Sequence, residues 1–123
     1  MALDVLIVDD SAAIRKILQR VLIQAEVSVG QVLEAGDGIE ALQRMKDSKV
    51  DLVLSDINMP NMDGIQLLTE IRANPAWERI PVVMITTEGS QQKVLAAVQL
   101  GANGYVRKPF TADQIKEKIC GLV

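Results

Sequence analysis

Six residues have the types and placement to do chemistry together: Asp9 and Asp10 after the apolar run 5–8, Asp56 closing the run 50–56, Asn58 two residues on, Thr86 after the run 81–85, and Lys108 after residues 104–107. If those runs are strands of one sheet, three carboxylates meet at one end of it. Two like unit charges ~4 Å apart repel by about 4 kcal/mol at an effective dielectric of ~20, so the group is unfavourable unless a cation sits in it. A few oxygen donors favour a hexacoordinate Mg²⁺ that keeps several waters, whereas zinc and iron prefer nitrogen and sulfur donors that the group lacks. A carboxylate beside a hard cation, faced by a lysine and a hydroxyl, suits phosphoryl transfer onto the carboxylate itself. Mg²⁺ and Lys108 would neutralise the equatorial oxygens, and Thr86 with nearby backbone N–H groups would donate to them.

Each residue alone has a plainer role. Asp10 or Ser11 reads as a helix N-cap, and Asp56 before Asn58 and Pro60 reads as a turn former. Thr86 could be only a strand-end hydroxyl, and Lys108 a solvated lysine reaching over the sheet. Joint placement is what favours chemistry.

The elements that must position these residues alternate as five βα units. The run 5–8 precedes Ile14, Ile17, Leu18, Val21 and Leu22 at helical spacing. Residues 27–33 are strand-like with Gly30 inside, and Asp37-Gly38 opens a helix bearing Ile39, Leu42 and Met45. The run 50–56 is stopped by the turn formers of residues 58–64, before a helix through Ile65, Leu68 and Ile71. The run 81–85 leads to a helix over 91–100 that Gly101 stops, and residues 104–107 lead to a helix capped by Thr111. Unbroken apolar strands imply burial on both faces, hence a parallel sheet in a three-layer α/β/α sandwich. Residues 1–123 then form a single domain, with ligands expected beyond the carboxyl ends of the strands.

Composition narrows the chemistry. The chain has no histidine, which removes a Ser-His-Asp triad, an imidazole base and a His-ligated metal. Cys120 is the one cysteine, excluding an internal disulfide and a Cys₄ centre and fitting a reducing compartment, with the cytoplasm as the expected location. A net charge of −3 offers no footprint for a nucleic-acid backbone. No export signal or membrane-spanning run is read. Gly36-Asp37-Gly38 lacks the third glycine of a dinucleotide fingerprint.

Taken in order, Asp9-Asp10, Asp56 with Pro60 and Asp63-Gly64 downstream, Thr86, and the stretch Tyr105-Val106-Arg107-Lys108-Pro109-Phe110 resemble a response-regulator receiver domain, most closely the stand-alone chemotaxis type, over essentially the whole chain. The resemblance implies a flavodoxin-like doubly wound (βα)₅ fold. It implies that Asp56 is the phosphoacceptor, that Asp10, Asp56 and the Asn58 backbone carbonyl coordinate Mg²⁺ directly, and that Asp9 does so through water. Thr86 and Lys108 would bind the phosphoryl group, Tyr105 would act as a rotamer switch, and the Lys108–Pro109 bond would be cis. Relatives take phosphate from a phosphohistidine on a separate sensor kinase and remove it slowly themselves, with Asn58 and Glu88 at the two tuning positions. Such a protein is no enzyme beyond its own phosphorylation and slow autodephosphorylation. Its output would be binding of a target protein on a face made by the fourth helix, fifth strand and fifth helix, as a monomer or a phosphorylation-dependent dimer, away from nucleic acid and membrane. Ile57 and Thr87 depart from the chemotaxis branch and bear on partner identity.

Alternatives stay open at this stage. Tyr105 could be plain edge-strand packing, and Trp77 a loop-packing residue. The apolar side chains of residues 94–100 cover more of a helix than one buried face needs, through either a docking surface or alanines tolerated in solvent. A flavin-binding electron carrier could share the fold, though three aromatics, Tyr105, Trp77 and Phe110, leave little to sandwich the ring. An Mg²⁺-dependent phosphatase with an aspartyl nucleophile usually places its second Asp two residues after the first, whereas these acids are adjacent. A constitutive interaction domain is a third.

Overall fold

Strand and helix alternate five times along the computed structural model, which describes residues 2–25, 27–87 and 91–122. The order is β1 (Leu3–Val8), α1 (Ala12–Gln24), β2 (Val29–Ala35), α2 (Gly38–Asp47), β3 (Leu52–Ser55), α3 (Gly64–Ala73), β4 (Val82–Thr86), α4 (Gln91–Gln99), β5 (Gly104–Arg107) and α5 (Ala112–Cys120). All strands pair in parallel in the order β2-β1-β3-β4-β5, the doubly wound arrangement expected. The chain winds outward from β1 to β2 and then returns past β1 to β3. Strand order therefore reverses between β1 and β3, where the loops at the carboxyl ends diverge and leave a crevice.

Burial explains why the inner strands read as unbroken apolar runs. Every residue of β3 and β4, and residues 5–8 of β1, are buried because helices cover both faces. Helices α1 and α5 place Leu18, Leu22, Ile115 and Ile119 against Val5, Ile7, Leu54 and Ile85. On the opposite face α2, α3 and α4 pack Ala41, Leu67, Leu68 and Ala97 against Leu6, Val8, Val53 and Met84. Among the described residues no helix is long and apolar enough to cross a membrane.

One boundary moves from its expected place. β2 runs two residues later than 27–33, through Glu34 and Ala35. As an edge strand it pairs only with β1 and is half-buried, so its hydrophobic signal is diluted, and Glu34 masks its end. That carboxylate is carried by Arg15 Nε at 3.0 Å and Lys16 Nζ at 3.4 Å. The helix stop at Gly101 holds: its φ of +98° lies in the left-handed region that disfavours a side chain.

Asp37 caps α2 by accepting from the Glu40 N–H at 2.9 Å, and it also accepts from the Asn61 amide at 2.8 Å. The Glu40 N–H first, then Asn61, hold its carboxyl below the ordinary value. Asp37→Ala is expected to cost about 1 kcal/mol in urea denaturation. Because the folded pKa is depressed, that contribution is present above the unfolded Asp value of about 3.9 and fades as pH falls through the folded one. The difference between native and variant should therefore shrink in acid.

Candidate functional site

Parallel register builds the site. Val8 and Ser55 form the last pair of the β1–β3 ladder, so the next residues, Asp9 and Asp56, leave the sheet side by side. The Asp56 N–H donates to the Val8 carbonyl at 2.9 Å. Across the sheet Thr86 pairs with Arg107, and the Thr86 carbonyl accepts from the Lys108 N–H at 3.0 Å. Lys108 thus follows β5 at the same edge, after which its peptide bond to Pro109 is cis. Its Nζ reaches Asp9 Oδ2 at 2.6 Å and Asp56 Oδ2 at 3.3 Å.

Asp9 is 2% exposed and Asp56 8%, while Asp10 stands exposed at the rim. Burial pushes the Asp9 carboxyl above its ordinary value, against the Lys108 contact and the Ser11 N–H, which favour the charged form. Asp9 Oδ1 accepts that N–H at 2.9 Å, and the Asp9 carbonyl accepts from Arg15 Nη1 at 2.6 Å. Of the two candidate caps of α1, Ser11 takes the role, its hydroxyl accepting from the Ile14 N–H at 3.3 Å. Asp10 is thereby left to the cluster.

A divalent cation fits these groups. Carboxylate oxygens of Asp9, Asp10 and Asp56 lie within 4.8 Å of one another. Oxygens at adjacent and opposite corners of an Mg²⁺ octahedron are about 3 and 4 Å apart, so modest side-chain rotation closes the difference. One ammonium among three carboxylates leaves two negative charges, which one divalent ion balances. The donor set is all oxygen, as hard cations require.

The loop after β3 is held to its place by α3. Asp63 and Gln66 form a capping box, and the Gly64 N–H donates to the Ile57 carbonyl at 2.7 Å. Asp56 Oδ1 accepts from the Ile57 N–H at 2.7 Å. Asn58 lies exposed beyond it, and its Oδ1 accepts from Lys93 Nζ of α4 at 3.0 Å. Sequence reasoning missed Lys93: the two residues are 35 apart, and the contact depends on how α4 crosses the sheet edge.

Thr86 is fully buried at the carboxyl end of β4, between the strands that carry Asp56 and Lys108. Tyr105 is half-buried and packs on the α2–α3–α4 face, outside the acid cluster. Glu88 lies outside the described residues. In α4 Ala97 is buried, whereas Leu95 and Val98 are 59% and 56% exposed, so the helix presents large apolar side chains outward rather than only small alanines. Trp77 packs against the core in the loop preceding β4, at the amino ends of the strands, as the loop-packing reading requires. Far from the acids, it cannot stack on a ring bound among them, which disfavours the flavin reading. Ser11, where a phosphatase of the weighed type would carry its second acid, caps a helix instead.

A family model described as the response regulator receiver domain matches residues 5–120. The chain is 43% identical over 115 residues to the chemotaxis protein CheY-3 of Vibrio cholerae, covering 94% of this chain and 87% of that protein. Its fold superimposes on the chemotaxis protein CheY4 of Vibrio cholerae with a TM-score of 0.88, at 32% identity and 100% coverage of both chains. A chain of the CheX–CheY–BeF₃–Mg²⁺ complex from Borrelia burgdorferi matches with a TM-score of 0.87 and 30% identity, over 97% of this chain and 87% of that one.

Proposed function

The chain belongs to the response regulator receiver domain family, and on that premise we propose that Asp56 accepts a phosphoryl group from the phosphohistidine of a separate sensor kinase. The protein is homologous to chemotaxis response regulators and acts in two-component, phosphorylation-dependent signal transduction. An Asp56 carboxylate oxygen bonds to phosphorus as the P–N bond to the donor breaks, and the donor ring leaves as neutral imidazole after taking a proton. Lys108, already bonded to Asp56, holds an ammonium against the incoming oxygens. Thr86 hydrogen-bonds the transferred group, and Asp10, Asp56 and the Asn58 backbone carbonyl would hold Mg²⁺ directly, with Asp9 acting through water. When bound, Mg²⁺ supplies the positive charge that lets the dianionic group approach three carboxylates.

The observation that carries this reading is the single ammonium shared by Asp9 and Asp56 within a three-carboxylate cluster. The transferred group shifts the chain toward a conformation with Tyr105 repacked, and a target protein binds across α4, β5 and α5, where Leu95 and Val98 are exposed. Asn58 and Glu88 tune the slow loss of phosphate, and the chain turns over no other substrate. Chemotaxis or a related pathway in the cytoplasm is the setting, with the chain a monomer or a dimer formed on phosphorylation.

Incubation with acetyl phosphate and millimolar Mg²⁺, read by intact mass, should add one phosphoryl group, and a chelator should prevent it. Mg²⁺ alone should raise the melting temperature, by the equivalent of about 2.7 kcal/mol at a hundred times its Kd. A chain that takes no label and shows no Mg²⁺ shift would not be a working phosphoacceptor.

A further inference from the structure

We propose that Lys93 is a positioning residue that prolongs the aspartyl phosphate by holding the Asn58 side chain; this rests on the phosphoacceptor reading of Asp56. Asn58 lies two residues past Asp56, on the loop that leaves the carboxylate cluster, and is exposed. It belongs to the β3–α3 loop, whereas Lys93 comes from α4 on a different connection, and the two meet through Nζ and Oδ1 at 3.0 Å. Lys108 is the cation inside the cluster. Lys93 is thus a second ammonium, placed at the rim.

Hydrolysis of an aspartyl phosphate needs water in line with the P–O bond. Water oxygen bonds to phosphorus, the bond to Asp56 breaks, the carboxylate is restored, and both water protons leave on dihydrogen phosphate. A side-chain carbonyl oxygen near the acceptor can orient such a water by accepting a hydrogen bond from it, without taking its proton. The Asn58 amide has one such oxygen, and the Lys93 ammonium donates to it. Bonds from a charged donor are stronger than those from water, so the occupied oxygen is less available to the attacking molecule. The same contact ties the loop that follows the acceptor to α4.

The tie also distinguishes Lys93 from a solvated surface lysine. The effect proposed for Lys93 is the part that passes through Asn58, so it predicts coupling between the two residues. The test is the first-order decay of labelled protein after free acetyl phosphate is removed, for the native chain, Lys93→Gln, Lys93→Arg, Asn58→Ala and the Lys93→Gln/Asn58→Ala double variant. Lys93→Gln is expected to speed decay about twofold to fivefold, the range of an exposed charge-assisted contact. Lys93→Arg should recover most of the native lifetime, and Lys93→Gln should add nothing once Asn58 is alanine. Decay that is unchanged or slower in Lys93→Gln, or a Lys93 effect that survives in the Asn58→Ala background, overturns the inference alone. A native chain that takes no label overturns the phosphoacceptor reading and this inference with it.

Discussion

Asp56→Asn should abolish labelling by acetyl phosphate while leaving the metal-free fold at least as stable as the native one. The two effects separate because Asp56 is the reactive group but is not the main anchor of Lys108. That lysine sits 2.6 Å from Asp9 and 3.3 Å from Asp56, so the shorter pair survives the substitution. Asparagine keeps an oxygen to accept the Ile57 N–H that Asp56 Oδ1 now takes at 2.7 Å. It also removes one of the two excess negative charges, relieving repulsion on the scale of the estimate above. Mg²⁺ binding should suffer, since taking one unit charge ~4 Å from a divalent ion costs about 2 kcal/mol even at the dielectric of water, about thirtyfold in Kd. Intact mass, thermal melting without metal, and a Mg²⁺ titration read the three effects. Undiminished labelling would send the acceptor elsewhere, and a steep fall in metal-free melting temperature would make Asp56 a structural partner of Lys108.

What was legible beforehand follows from where burial is complete. β1, β3 and β4 are covered on both faces, so their sequences carry little but apolar residues, and the polar residue that ends each run stands out as a candidate. Asp9 and Lys108 are 99 residues apart yet could be brought to one site in advance, because both follow strands and parallel strands end at one edge, although their ion pair could not be read. The edge strand β2 was displaced because half its surface meets solvent and Glu34 is paid for by Arg15 and Lys16 rather than by burial. Neither Ser11 nor Asp10 was distinguishable as the α1 cap, since both types serve and the choice depends on which carboxylate the cluster draws in. Lys93 could not be found at all: a helix face has no edge to mark it, and its partner is set by the crossing of α4 over the loop after β3.

Gly64→Ala should be the most damaging alanine substitution among the described glycines. Gly64 begins α3, and its N–H donates to the Ile57 carbonyl at 2.7 Å, which folds the loop tightly back on the end of β3. A Cβ there would run into the Asp56 carbonyl oxygen and press on the Ile57 Cα and the Met84 methyl. The methionine tail can turn away, but the backbone cannot, because the Asp56 N–H is bonded to Val8 and its carbonyl accepts the Ser55 hydroxyl at 2.8 Å. Relief then requires moving β3 away from β1 or lifting α3 from the sheet, and a loss of about 3 kcal/mol is expected. The damage is also functional, since any shift of the Asp56 backbone moves its carboxylate relative to Asp9 and Lys108. Gly36→Ala is the matched control: a Cβ there meets only the Glu40 and Arg15 side-chain tips, at 3.9 and 4.0 Å, and stability should hold or rise by a few tenths of a kcal/mol. Urea denaturation of both variants, with acetyl phosphate labelling of the folded fraction, separates the outcomes. If Gly64→Ala unfolds at the native midpoint and labels normally, the loop is far softer than its hydrogen bonds indicate, and the placement of Asp56 must be enforced by the carboxylate cluster rather than by the start of α3.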